Sequence, residues 1–180
     1  MAAVSELIVV TGPPGAGKST VGRVLAGGFE RSALVAGDEF FRFLDRGFIP
    51  PWRPEAHEQN TVVIQAAAAA AGRLSTACTV VYDGFVGPWF LPTFMTATGL
   101  PRLHYVILLP SIERCITGVR TRVGHEFTDL AATRHMHEQF AQAQISPRHL
   151  IADPADGPEA VAECLRQRVA NGSLAYDSQS

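Results

Sequence analysis

The chain has 180 residues, 47% of them hydrophobic and 18% charged, a balance that excludes disorder and suffices for the core of one compact domain. A net charge of −2 and a pI near 6.3 leave out the basic field on which nucleic-acid binders depend, so a polynucleotide partner is disfavoured. No apolar run is long enough to cross a bilayer, and Cys78, Cys115 and Cys164 are too few and scattered for a disulfide framework or a metal knuckle. A soluble protein of the reducing cytoplasm is expected, with no membrane partner. The opening "MAAVSELIVVTG" lacks a basic n-region and reads as structure, not as a targeting segment.

Taken in chain order, strand-length apolar runs fall at 6–11, 33–37, 78–83, 103–109 and 149–153. Helical stretches are expected at 17–27, 38–46, 55–75, 111–122, 128–143 and 157–171. Strands without polar alternation are buried on both faces, so the alternation predicts an α/β fold with helices covering a parallel sheet. The run "QAAAAAAG" at 65–72 continues a helical pattern and reads as a closely packed helix, since Ala is the best helix former. "GFIPPWRPE" at 47–55 and "GFVGPWFLP" at 84–92 are broken by Gly and Pro and read as loops, each carrying a Trp. One domain over 1–172 is expected, with 173–180 a frayed tail.

The first strand runs into "TGPPGAGKST". Gly12, four residues, then Gly17, Lys18 and Ser19 complete a P-loop match between a buried strand and a helix start. Glycines let backbone N–H groups turn toward phosphate oxygens, and the helix N-terminus adds its positive end. Gly12, Pro13, Pro14, Gly15, Ala16, Gly17, Lys18, Ser19 and Thr20 therefore form the expected nucleotide cradle. Lys18 would span the β- and γ-phosphates, Ser19 would be a Mg²⁺ ligand, and Thr20 would support them. Lys18 is also the sole lysine among fifteen Lys and Arg residues. A guanine-reading Asn-Lys-x-Asp element is thereby excluded, and a regulatory GTPase with it.

Ligands of such sheets gather at the carboxyl ends of the strands, where two acids stand. Asp38 follows the second strand. It can accept the proton of an attacking hydroxyl or hold a Mg²⁺-bound water, and it can equally serve as a helix N-cap. Asp83 follows the third strand, as a more distant Mg²⁺ ligand or an acceptor for substrate. After the fourth strand, Arg120 and Arg122 end a helix beside a short polar turn that would act as a lid over about 122–134. Either arginine can neutralise charge in phosphoryl transfer, whereas Arg114 reads as solvated helix surface. His135 and His137 are two apart, so on a helix they point in different directions and do not make a metal pair.

This order of P-loop, Asp after strand two, "VVYDG" after strand three and an arginine pair with a lid resembles the small P-loop kinases of the gluconate and shikimate kinase group. Antibiotic phosphotransferases such as chloramphenicol phosphotransferase are among the proteins it is similar to. "RVGHEF" at 122–127 with "EQFAQAQ" at 138–144 looks most like the lid region of gluconate kinase. The resemblance implies a five-stranded parallel sheet in the order 2-3-1-4-5, ATP with Mg²⁺, a base or orienting role for Asp38, and Arg122 as the lid arginine. Departures concern the acceptor. Phe40, Phe41, Phe43, Phe48, Trp52, Phe85 and Trp89 make the acceptor region aromatic, which points to a bulky or partly apolar molecule and not a small polyol acid. Trp52, Trp89 and Phe85 would contact it, and Arg42 and Arg53 would meet an anionic or hydroxyl-rich part. The expected activity is an ATP-dependent kinase acting on a small-molecule hydroxyl. Its alternative is a nucleotide-binding or RNA-end-processing protein with the same core. The acceptor's identity and the oligomeric state are not encoded in any motif.

Overall fold

A computed structural model describes residues 6–121, 128–152 and 157–178. Its sheet runs β1 (Leu7–Thr11), β2 (Ser32–Ala36), β3 (Thr79–Asp83), β4 (Arg102–Leu108) and β5 (Leu150–Ile151), parallel and in the spatial order 2-3-1-4-5. The order is the one implied by the kinase resemblance. It places β1 at the centre, with Val10 beside Asp83 on one side and Val106 on the other. Among the described residues six α-helices flank the sheet: α1 (Lys18–Gly27), α2 (His57–Leu74), α3 (Leu91–Thr98), α4 (Ile112–Thr121), α5 (Leu130–Gln142) and α6 (Gly157–Ala170).

Alternate residues of each strand feed opposite cores. Leu7, Val9, Val80, Tyr82, Tyr105 and Ile107 face α2, α3 and Phe140 of α5, while Ile8, Val10, Val81, Val106 and Leu108 face α1, α6 and Cys115 of α4. Burial on both faces explains why these strands read as continuous apolar runs. The alanine run does what small residues can do in a helix. Ala67, Ala68 and Ala71 are wholly buried, and a Cβ at Gly72 would stand 2.1 Å from the backbone oxygen of Thr98, so α3 lies almost directly on the backbone of α2.

Three expectations are corrected here. The segment after Asp38 is a 3-10 helix over Gly37–Phe43, shorter than the helix expected to residue 46. Helix α3 was not expected at all: Pro92 lies in its first turn, where a proline's missing N–H costs nothing, and Gly99 ends it in the left-handed conformation with φ 68°. A Pro taken as a breaker is an initiator. Within the segment expected to fray, Ala175–Asp177 forms β6, antiparallel to the start of β4. Strand β5 pairs only with Ile107 and Leu108, which leaves the edge at Arg102–His104 open for β6. Leu174, fully buried, and an ion pair of 2.6 Å between Arg102 and Asp177 hold it there.

No helix among the described residues is long and apolar enough to cross a membrane.

Candidate active site

The P-loop is shaped by what its glycines touch. A Cβ at Gly12 would fall 2.2 Å from the backbone oxygen of Leu108, and one at Gly15 would fall 2.0 Å from that of Cys115. Both glycines also have positive φ, 145° and 78°, so the loop is pressed between the end of β4 and helix α4 in a conformation other residues resist. Lys18, buried at the start of α1, donates to the carbonyls of Gly12 at 3.0 Å and Pro13 at 3.2 Å. Its ammonium is thus bent back over the loop it is to serve. Cys115 lies fully buried behind the loop, and burial pushes its thiol up to about 11, which keeps it protonated and inert.

Ser19 follows Lys18 on α1, and Gly22 lies three residues further on the same face. A Cβ at Gly22 would be 3.5 Å from Cβ of Asp83, so the buried Asp83 packs against α1 one turn below Ser19. An oxygen-only set of hydroxyl and carboxylate beside a phosphate cradle fits Mg²⁺, which keeps several waters and takes its other ligands from phosphates. Among the described residues no group of three or more His, Cys, Asp or Glu side chains forms a protein-only metal site.

Asp38 does not cap its helix, which has no side-chain cap bond. Its Oδ1 instead accepts the backbone N–H of Phe85 at 2.9 Å, across 47 residues of sequence. The next residue is anchored twice: Val86 N–H donates to Oγ1 of the buried Thr11 at 2.9 Å, and Val86 O accepts from the Tyr105 hydroxyl at 2.7 Å. Three bonds thus fix the loop after β3 to Asp38, to the last residue of β1 and to β4. Tyr82 stands beneath both acid-bearing turns. A Cβ at Gly37 would meet its hydroxyl at 2.0 Å, and the tyrosine is held neutral, its pKa raised by burial and then by the nearby Asp38 and Asp83 carboxylates.

Two hollows flank this arrangement. One, of about 340 Å³, is lined by Pro51, Trp52, Arg53, Pro54, His57, Asn60, Phe85, Trp89, Phe90, His135, Met136 and Gln139. Phe85 joins it to Asp38. Its aromatic wall is a cluster in which Phe140 meets Phe85 at 5.6 Å and Trp89 at 5.5 Å between ring centroids, while His57 stacks on Phe90. The other hollow, of about 410 Å³, lies beside the P-loop between Gly15, Ala16, Gly17 and the α4 residues Glu113, Arg114, Thr117, Gly118 and Thr121. A Cβ at Gly118 would stand 2.5 Å from the Gly15 oxygen, so α4 forms the immediate wall of the loop.

Of the expected acceptor residues, Trp52, Arg53, Phe85 and Trp89 line the first hollow; Asp38 borders it through Phe85, and Asp83 stands on the phosphate side. Arg42 does not join them. It pairs with Glu39 at 3.1 Å on an exposed face of the 3-10 helix, where i and i+3 bring the charges together. Arg120 is exposed at the end of α4, away from the lining of either hollow, whereas Arg114, expected as plain surface, lines the groove beside the P-loop. Arg122 and lid positions 122–127 lie outside the described residues. His137 Nε2 lies 2.8 Å from the Pro110 carbonyl and donates its proton to it, tying α5 to the β4–α4 connection.

Thr11, Tyr105, Gln59 and Asn60 were not singled out from the sequence. Gln59 donates to Ile49 O at 2.7 Å and accepts from Ile49 N–H at 2.9 Å, and Asn60 Nδ2 donates to Pro51 O at 2.7 Å. The two neighbouring amides at the start of α2 hold the Trp52 loop over the hollow. Adjacent Gln-Asn facing a Pro-rich loop was the available signal.

No family model and no curated protein sequence matches the chain. Solved structures do match over nearly its whole length. The tunicamycin resistance protein of Deinococcus radiodurans superposes with a TM-score of 0.68 at 19% identity, covering 92% of this chain and 95% of that one. A gluconokinase from Sinorhizobium meliloti 1021 gives 0.61 at 21%, covering 94% and 95%, and shikimate kinase from Acinetobacter baumannii 0.57 at 19%, covering 94% and 95%. The chain has the fold of the small P-loop kinases.

Proposed function

We propose that the protein is an ATP-dependent kinase that transfers the γ-phosphoryl group to a hydroxyl of a bulky, partly apolar small molecule. The observation that carries the reading is the bond from Phe85 N–H to Asp38, which connects a strand-end carboxylate beside the phosphate cradle to the aromatic hollow. One oxygen of Asp38 is engaged by the backbone. The other is available to an acceptor hydroxyl lying along Phe85.

In this reading the P-loop N–H groups and Lys18 hold the triphosphate, and the groove lined by Arg114 and Thr117 receives the base and ribose. Ser19, with Asp83 behind it, would hold Mg²⁺, which supplies charge neutralisation on the phosphates. Asp38 orients the hydroxyl and takes its proton as the acceptor oxygen bonds to the γ-phosphorus. The bond from that phosphorus to the bridging oxygen breaks, and ADP leaves with the electron pair. Catalysis is then mainly positioning and electrostatics. Arg120 or Arg122 is the proposed source of positive charge from the lid side.

The test is ADP release by purified protein with ATP and Mg²⁺ across panels of hydroxylated metabolites, antibiotics and oligonucleotides. Release above the water background with a small-molecule acceptor, abolished in Lys18→Ala, is expected. Release driven only by oligonucleotide ends, or by nothing despite tight ATP binding, would refute it in favour of a nucleic-acid end-processing protein or a nucleotide-binding module.

A further inference from the structure

Thr11 closes β1, and Gly12, the first residue of the P-loop, follows it directly. The rest of that strand is apolar, Leu7, Ile8, Val9 and Val10, and Thr11 is buried as fully as they are. A valine would fill the same space, so packing does not account for the hydroxyl. Its bond does: Oγ1 accepts the N–H of Val86 at 2.9 Å. Val86 is itself wholly buried, and its carbonyl takes the Tyr105 hydroxyl at 2.7 Å. Both backbone groups of this one residue are therefore satisfied by side chains of β1 and its neighbour β4, bonds that burial makes costly to lose. Pairing of β3 with β1 ends at Asp83 and Val10, and Gly84 N–H reaches Val10 O only at 3.4 Å. Beyond Asp83, then, the loop is tied to the central strands at Val86.

We propose that Thr11, with Tyr105 beside it, is a positioning residue for phosphoryl transfer: by fixing Val86 it fixes the Phe85 N–H, and through that bond the place of the Asp38 carboxylate relative to the P-loop. This rests on the kinase reading above and says how the two halves of that site are kept in register. Asp38 stands on an exposed 3-10 turn after β2, an edge strand separated from β1 by β3. Its carboxylate does not cap that turn and is held by Phe85 N–H at 2.9 Å. The path from cradle to carboxylate is consequently short. Gly12 joins Thr11 by one peptide, Thr11 joins Val86 by one hydrogen bond, Val86 joins Phe85 by a second peptide, and Phe85 joins Asp38 by a second hydrogen bond. Transfer needs the acceptor oxygen about 3–3.5 Å from the γ-phosphorus, and a displacement of about 1 Å costs on the order of 10²-fold in rate. Thr11 has no exposed surface with which to touch either substrate, so its effect on rate passes through Val86 and Phe85.

Amide exchange of the wild type, followed by NMR, needs no variant: the Val86 amide should exchange about as slowly as those of β1, and exchange at the rate of an exposed loop overturns the inference. Thr11→Val keeps the shape and removes the acceptor oxygen, whereas Thr11→Ser keeps the hydroxyl. Tyr105→Phe removes only the bond to Val86 O, and it stands in where the valine variant does not fold. The acceptor is whichever compound gives turnover in the panels of metabolites, antibiotics and oligonucleotides. With it, Thr11→Val and Tyr105→Phe should each lose about tenfold or more in kcat/KM for the acceptor, while calorimetric affinity for MgADP is unchanged. Exchange at the Phe85 amide should quicken in both, and Thr11→Ser should recover most of the activity. MgADP affinity falling in step with kcat/KM would make Thr11 a support of the phosphate cradle and overturn the inference. Thr11→Ser as impaired as Thr11→Val would assign the effect to packing and overturn it too, as would full activity in Thr11→Val or in Tyr105→Phe. No turnover by any acceptor, with Val86 exchange slow as expected, overturns the kinase reading itself, and this inference with it.

Discussion

One oxygen of Asp38 accepts Phe85 N–H and the other is the proposed proton acceptor, so the two functions can be separated by substitution. Asparagine can still present its Oδ1 to Phe85 but cannot take a proton. Asp38→Asn is therefore expected to lower kcat by about 10²–10⁴-fold with little change in KM for ATP or in thermal stability. Asp38→Ala should in addition free the Phe85 loop and raise KM for the acceptor. Steady-state kinetics of the pair, beside thermal melts, decide the matter; most of the activity surviving in Asp38→Asn would remove the carboxylate from the chemistry. The places of Lys18, Asp38 and Asp83 were legible in the sequence because they follow from a local motif and from strand ends. Thr11 and Tyr105 were not, since each acts by bonding to Val86, 75 and 19 residues away, and nothing local marks such a partner. The pairing of Arg42 with Glu39, three residues back, was legible from their spacing on the 3-10 helix but was not singled out.

At the scale of elements, the strands were legible because double-sided burial leaves an unbroken apolar signal, and helix α2 because its alanines keep helical spacing. Helix α3 was hidden by Pro92, whose meaning depends on whether it stands in a first turn, and β6 by the open edge of β4, which only the assembled sheet displays. The contact of α2 with α3 gives a test that leaves the site untouched. Gly72→Ala would place a methyl 2.1 Å from Thr98 O, a backbone atom that cannot rotate away. The helices must separate, at a cost of about 1–3 kcal/mol in a urea titration, with kcat and both KM values unchanged because Gly72 is near the far end of the helix from Asn60. Gln59→Leu should do the reverse. It strips Ile49 of both backbone partners and loosens the Trp52 loop, so KM for the acceptor should rise severalfold while KM for ATP and the urea midpoint move little. A rise in KM for ATP of equal size would show that the loop serves the nucleotide instead.

For the molecule as a whole, the strand that closes the chain is tied to a buried histidine. His149 is 2% exposed, with Nδ1 2.9 Å from Tyr105 O and Nε2 accepting from Arg148 Nε at 3.2 Å. Arginine can only donate, so Nε2 carries no proton and the proton sits on Nδ1, donated to Tyr105. Arg148 also donates to Ala175 O in β6 at 3.1 Å, and Tyr176 closes over the imidazole with ring centroids 6.3 Å apart. Protonating Nε2 would set two donors against each other in a buried place. Burial, with Arg148 and Arg168 nearby, accordingly lowers the pKa of His149 from its ordinary 6.5. In the unfolded chain the ring still takes a proton near 6.5, so below that pH the unfolded state binds a proton the folded state refuses. Stability from this group is full above about pH 6.5 and declines as pH falls, until the folded-state ring protonates too. Urea midpoints at pH 7.5 and 5.5 should therefore fall more in wild type than in His149→Asn, which keeps a donor toward Tyr105 and cannot titrate. Amide exchange in Ala175–Asp177, corrected for its intrinsic pH dependence, should quicken at the lower pH in wild type alone, since the same charge unseats Arg148 and opens β6 first. Identical midpoint shifts in the two proteins would mean that other groups carry the acid sensitivity and that His149 ties down the closing strand without sensing pH.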